Sequence, residues 1–433
     1  MKVLLRLCTM VALFLTLTTE ASYAANLLQF SDLQYLGAFR VPAGQNLGYG
    51  GYTLGYNPGS SSPGSLFIGC FNTTATIAEI SIPTPVNSTN LNNLPTAKLL
   101  QPCANPAAGT IGIGASDTQI GGILVFGDKL IVSEYSYYDA SKSQTAAFFV
   151  KPNATLSQAN ATGPYTVSAP NIGFVDGWMA PVPSEWQAAL KGPIASGNCC
   201  LSIISRTSWG PDAFAWDPAQ LTNISIAVPS TPLFYYTGQN ATIGQWDGLM
   251  PNNTTIWWNN AGTGYRDGGV IPNGTRSMLF FGSQGMDPLG MCYGEGTSDP
   301  SLNRKQVPNE PGVIYCYDPA DRYKGVHGYP YQFQIMAYDL NELAAVAAGT
   351  KQPYSILPYA VWPLISGLVG VDGKNNETAG GAVYDPTLQR IYYTTPYTDN
   401  SVEYGLPLVQ VWQVNTAGSQ LTPPTSPSSV QVQ

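Results

Sequence analysis

The sequence predicts an all-β fold, a β-propeller of five blades with long insertions, closed by its N-terminal strand. Three observations carry this expectation. Helical periodicity is nearly absent over 433 residues, and 45 Gly with 35 Pro punctuate short Tyr, Phe, Ile, Val and Thr runs. Hydrophobic residues make up 44% and charged residues 10%, enough apolar surface for a large core without help from staples. Above all, a Gly-Gly or Gly-Trp pair followed by a strand, a turn and a second apolar strand recurs five times.

The repeats begin GGYTLGYNP at Gly50, GGILVFGDKLIVSEYSYYD at Gly121, GWMAPVPSEW at Gly177, GGVIPNGTRSMLFFG at Gly268 and GGAVYDPTLQRIYYTTPYTD at Gly380. Each precedes a further strand: TIAEISIP from Thr76, TAAFFVKP from Thr145, DAFAWDP from Asp212, GVIYCYDP from Gly312 and LVQVWQVN from Leu408. Such units cannot cover their own faces, and radial stacking of them makes a propeller. The paired glycines belong on the crowded inner strands, where backbones of successive blades approach closely. The run LQYLGAFRVP from Leu33 has no glycine pair of its own and suits the outer strand of the blade built from residues 380–415. The spacing leaves room for a sixth or seventh blade inside the insertions. Two short helices are expected: PSEWQAALKG, with a capping box of Ser184 and Gln187, and DLNELAAVAAG, capped by Asp339 with Glu342, both stopping at Gly.

The chain opens with Lys2 and Arg6 ahead of an apolar run, and Ser22 and Ala24 set up a cut before Ala25, so residues 1–24 read as a secretory signal peptide rather than a membrane anchor. One domain, 25–415, follows, and then a Pro/Ser/Thr tail, 416–433, expected to be disordered. Export makes the six remaining cysteines a disulfide set. Chain order favours Cys70 with Cys103 and Cys292 with Cys316, leaving Cys199 and Cys200 as a vicinal pair or as free thiols. Ten Asn-x-Ser/Thr triplets, at Asn72, Asn87, Asn153, Asn160, Asn223, Asn240, Asn252, Asn253, Asn273 and Asn376, mark exposed turns and candidate glycosylation sites.

The phrases YLGAF, GGxxxxYNP, AEISIP, GGILVFGDKLIVSEYSYYDA, EWQAAL…CC, GEGTSDP, CYDPAD…KGVHGYPY and GGAVYDPTLQRIYYT occur in this order over nearly the whole mature chain. In them the sequence resembles an uncharacterised group of secreted bacterial β-propeller-like proteins. The resemblance implies the fold and carries over no activity and no catalytic residue.

A net charge of −8 without a Lys/Arg cluster excludes nucleic acid as an expected partner, and the single His327 excludes a His-based zinc site. No calcium loop, nucleotide loop or GxSxG elbow appears, so no metal or cofactor is expected. Propeller ligands sit where loops converge over the channel. The residues singled out there are Glu134, Asp139, Glu295 and His327 for acid–base work, and Tyr135, Tyr138, Asp176, Trp178, Arg206, Trp209, Arg266 and Asp267 for ligand contact. Asp212, Trp246, Asp247 and Tyr265 are near candidates. Paired carboxylates with aromatic platforms suit glycoside chemistry. Each residue also has a plain reading: Glu134 as strand surface, GEGTSDP as a turn, His327 as packing, and the pair Trp257 and Trp258 as blade core. Two functions follow: a secreted propeller that binds, or hydrolyses, extracellular glycan at the channel mouth, or a structural or interaction protein of a cell surface or extracellular assembly, able to form oligomers or polymers.

Overall fold

The computed structural model describes residues 26–416, apart from 60–61, 72–73, 108–117, 199–202, 204–205, 209, 237–267, 286, 288, 290–291, 320 and 364–379. The expected signal peptide and most of the tail lie outside the described residues.

Five four-stranded antiparallel sheets stand as blades. Blade I is β2 (Leu54–Asn57), β3 (Ser65–Gly69), β4 (Ile77–Ser81) and β5 (Leu99–Ala104). Blade II is β6 (Thr118–Phe126), β7 (Lys129–Ser136), β8 (Phe148–Lys151) and β9 (Thr162–Tyr165). Blade III is β10 (Met179–Pro181), β11 (Ile194–Ser196), β12 (Ala213–Trp216) and β13 (Ser230–Phe234). Blade IV is β14 (Gly269–Val270), β15 (Ser277–Gly285), β19 (Tyr331–Asp339) and β20 (Ala360–Pro363). Blade V is β21 (Ala382–Asp385), β22 (Arg390–Asp399), β23 (Leu406–Val414) and, on its outside, β1 (Leu33–Arg40). The innermost strands touch in a closed cycle, β2 to β6 to β10 to β14 to β21 and back to β2. That cycle is the five-bladed ring, and β1 closes it by pairing antiparallel with β23 from Leu33 opposite Val414 to Arg40 opposite Leu408.

Side-chain alternation along each strand explains the radial packing. On β15, Met278 and Phe280 enter the core shared with blade III, whereas Leu279 and Phe281 enter the core shared with blade V. Equivalent cores join blades V and I, I and II, and II and III. The inner glycines are there because no side chain fits: a Cβ on Gly122 would lie 2.0 Å from the Gly177 carbonyl oxygen of the next blade. Gly37 serves the closing strand, where a bulge after Tyr35 leaves it at φ +112° against the Val86 backbone.

Three expectations need correction. GVIYCYDP is not the third strand of blade IV. Tyr315–Tyr317 is β17 of a three-stranded sheet with β16 (Cys292–Thr297) and β18 (Lys324–His327), inserted between β15 and β19, and the blade continues with YQFQIMAYD, whose apolar residues alternate into two cores. GEGTSDP is a strand as far as Thr297 and only then turns, with Asp299 accepting from Ser301 N at 2.8 Å. Helix α1 (Ser184–Leu190) has no capping box, because Pro183 takes the N-cap and moves Ser184 into the first turn; the Gln187 amide donates to the Val182 carbonyl instead. It ends on Lys191 at φ +63°, one residue ahead of Gly192. Helix α2 (Leu340–Ala347) is capped by Asp339, as its sequence predicts.

Cys70 is bonded to Cys103 and Cys292 to Cys316, the pairs that chain order favours. Cys199 and Cys200 lie outside the described residues. Among the described residues no helix is long and apolar enough to cross a membrane.

Candidate functional site

Four strands per blade return the chain to the same face each time. The second-to-third strand connections and the links between blades therefore share one face, here termed the loop face. It carries the segments after β3, β7, β11 and β22, the inserted sheet after β15, and the entries to all inner strands. The opposite face carries α1, α2 and the remaining turns.

On the loop face between blades II and III, two acidic candidates and Arg206 form one buried network. Asp139 accepts from Ser143 N at 2.8 Å, from the Ser141 and Ser143 hydroxyls, from Gln144 N at 2.8 Å and from the Arg206 guanidinium. Arg206 also donates to the main-chain oxygens of Asp139 and Gln144. These donors saturate the Asp139 carboxylate, whose work is to hold the 139–144 turn. The Gln144 amide then bridges to the Glu134 carbonyl at 3.0 Å and to Asp176 Oδ2 at 3.3 Å.

Asp176 and Asp212 differ from Asp139 in being incompletely paired. Both are fully buried, and Asp212 Oδ1 accepts from Asn198 N at 2.7 Å, but Asp176 Oδ1, Asp212 Oδ2, Asn198 Oδ1 and the Thr207 hydroxyl have no partner among the described residues. Burial pushes both carboxyls well above the usual range. Hydrogen bonds to Asp176 and Asp212 offset part of the rise, and the neighbouring Asp176 raises Asp212 further. Each is thus held toward its protonated form, a state suited to hydrogen-bond donation or proton transfer. Glu134, on β7, is pushed up to about 7 by burial. Among the described residues no three His, Cys, Asp or Glu side chains converge to hold a metal.

The other candidates lie apart from this network. Tyr135 is buried and donates to Gln119 at 2.6 Å, and Trp178 is a wedge between blades III and IV, edge-on to Phe280 at 5.5 Å. Glu295 sits on β16 opposite Lys324 in the inserted sheet. His327, at the end of β18, has Asp318 Oδ2 at 3.1 Å from Nδ1 and the Tyr323 carbonyl at 3.0 Å from Nε2. Burial lowers its pKa, but Asp318 with lesser help from Asp321 and the Tyr323 carbonyl outweighs it, and the net direction is up. Trp209, Trp246, Asp247, Trp257, Trp258, Tyr265, Arg266 and Asp267 lie outside the described residues. So do Asn72, Asn240, Asn252, Asn253 and Asn376; Asn87, Asn223 and Asn273 are exposed, and Asn153 and Asn160 half-buried.

A second feature of the loop face had no sequence signal. Where blade V meets blade I, Tyr49, Tyr52, Phe71, Tyr397 and Tyr404 form an aromatic cluster, with the Tyr49 ring 5.3 Å from Tyr397 and 5.2 Å from Phe71. The Tyr52 hydroxyl donates to that of Tyr397 at 2.5 Å. Tyr49, Tyr397 and Tyr404 all have left-handed backbone, at φ +55°, +59° and +67°. Bulky residues rarely adopt it, and each instance costs on the order of 1 kcal/mol that the surroundings must supply. Tyr404 is 60% exposed, and Tyr137, Tyr138, Tyr293 and Tyr323 also present rings on the loop face.

No family model matches the chain, and no curated protein matches it. Among solved structures, a protein of unknown function from Dyadobacter fermentans is similar over 88% of this chain and 99% of its own, at 8% identity and a TM-score of 0.35. The Dos1 propeller is similar over 84% of this chain and 68% of its own, at 9% identity and a TM-score of 0.26.

Proposed function

We propose that the chain is a secreted propeller that binds extracellular glycan on its loop face. The carrying observation is the cluster at the blade V–I junction, where three tyrosines are held in left-handed backbone around one another. A sugar ring presents an axial C–H face that packs on an aromatic ring, while its hydroxyls bond to polar groups at the edge. Tyrosine supplies both surfaces, and a rigid backbone lowers the ordering cost of binding. The sparse charge and the two disulfides among the described residues fit an extracellular setting.

Glycan-array screening followed by calorimetric titration of the bound structures tests this. Tyr404→Ala should weaken binding at least tenfold with an unchanged melting temperature. A folded protein that binds no glycan refutes the proposal, and polymers in electron micrographs would then favour a structural role. Turnover is a second reading, favoured by the oxygens of Asp176 and Asp212 that have no partner among the described residues. Asp176 and Asp212 are both held toward the protonated form and so offer only the acid of the protonated and ionised pair that hydrolysis needs; Asp176→Asn and Asp212→Asn should each abolish any cleavage of the bound glycan.

A further inference from the structure

The central channel opens on the face opposite the tyrosines as a cavity of about 280 Å³. All five inner strands line it, and the entire lining lies within the described residues. Ile123, Met179, Val270 and Val383 form buried walls; Pro58 and Pro386 stand exposed at the mouth. Toward the loop face the funnel narrows where the inner strands press together. A Cβ on Gly381 would lie 2.3 Å from Leu54 N, and one on Gly55 2.5 Å from the Ile123 side chain.

We propose that this cavity is a binding site for a small flat apolar molecule, a one- or two-ring aromatic compound. Apolar walls of this kind hold water poorly and gain by contact with an apolar guest. A peptide segment or a loop of a second copy would bring backbone N–H and C=O groups against walls that offer them few partners, at several kcal/mol each in the least favourable case. A ring compound brings none. Tyr56, Tyr384 and the prolines of the lining offer it flat faces, and the volume has room for one or two fused rings.

The test is calorimetric titration of the full chain with 2-naphthol, paired with the loop-face variant Tyr404→Ala and the mouth-blocking variant Pro386→Trp. Saturable binding at one site per chain is expected, unchanged in Tyr404→Ala and at least tenfold weaker in Pro386→Trp. If Pro386→Trp does not fold, Asn273→Trp, at another exposed position of the rim, replaces it. Absence of saturable binding up to millimolar probe overturns the proposal, as does binding that both mouth variants leave unchanged. Neither result bears on glycan recognition by the opposite face.

Discussion

Phe39→Ala tests the ring closure. Phe39 is fully buried on β1, opposite Val409 of β23. It shares one core with Val383 and Tyr392 of blade V and with Leu54, Leu66 and Ile68 of blade I. The truncation therefore opens a cavity at the seam where the two ends of the propeller meet. A buried Phe→Ala change costs about 3–5 kcal/mol. An unfolding entropy of roughly 2.1 cal/mol/K per residue gives a domain of about 390 residues ~0.8 kcal/mol/K, so the melting temperature should fall by about 4–6 °C. The control is Leu100→Ala, a 51% exposed position on β5, which should move it by less than about 1 °C. Thermal unfolding followed by circular dichroism reads both. A chain beginning at residue 43 loses the whole ladder to β23 and should aggregate, since it exposes a sheet edge and the apolar faces of two blades. A Phe39→Ala shift no larger than the control, or a stable, monomeric chain without β1, would refute closure.

Three further outcomes follow from buried or bonded groups. Glu134 is raised from 4.5 to about 7 in the fold, so the folded state is favoured fully below pH 4.5 and loses roughly 3 kcal/mol as pH rises to about 7; Glu134→Gln should raise the melting temperature at pH 8 and leave it nearly unchanged at pH 4. His327 faces an acceptor at each ring nitrogen, and its stabilising charge is fully present below its unfolded pKa of about 6.5 and lost as pH rises through the higher folded value. As the only histidine, its C2 proton should titrate in nuclear magnetic resonance spectra above pH 6.5 in the native protein and below it in Asp318→Asn, where burial, the largest influence, outweighs what Asp321 and the Tyr323 carbonyl still supply. Cys316→Ser removes the staple between β16 and β17, worth about 2–4 kcal/mol. Trypsin should then cut faster at Arg322 and Lys324, while the propeller's melting temperature moves by no more than about 2 °C.

The ring was legible because its constraints are local. A Gly-Gly or Gly-Trp pair marks each inner strand where the neighbouring backbone leaves little room for a side chain, and the Leu33 run alternates like a strand without a partner. Blade IV misled because GVIYCYDP and YQFQIMAYD are both β-rich. Only the second has apolar residues on alternate sides for two long faces, and an inserted sheet of some forty residues separates it from β15. The site was legible in part. Asp139, Arg206 and Asp176 could be singled out as polar residues near strand ends, but Asp139 and Arg206 are 67 positions apart, and only the fold shows that one saturates the other. The tyrosine cluster had no signal, because left-handed backbone at Tyr49, Tyr397 and Tyr404 is imposed by the junction of blades V and I and runs against the residue's own preference.

This contrast has a geometric cause. Blade strands must satisfy two cores at once, which fixes their alternation and leaves a readable pattern. Connections on the loop face satisfy no such periodicity and can vary in length without disturbing the ring, as the whole sheet inserted after β15 shows. The variable face thereby gathers the aromatic and carboxylate groups. On the opposite face the inner strands lead into tighter turns, apart from the link that carries α1 between β10 and β11, so the channel mouth there is built largely by strand residues in fixed register. A loop-face substitution such as Tyr404→Ala should therefore alter recognition at little cost in stability, whereas a change in the channel wall, such as Val383→Ala, should register in stability and in ligand binding together.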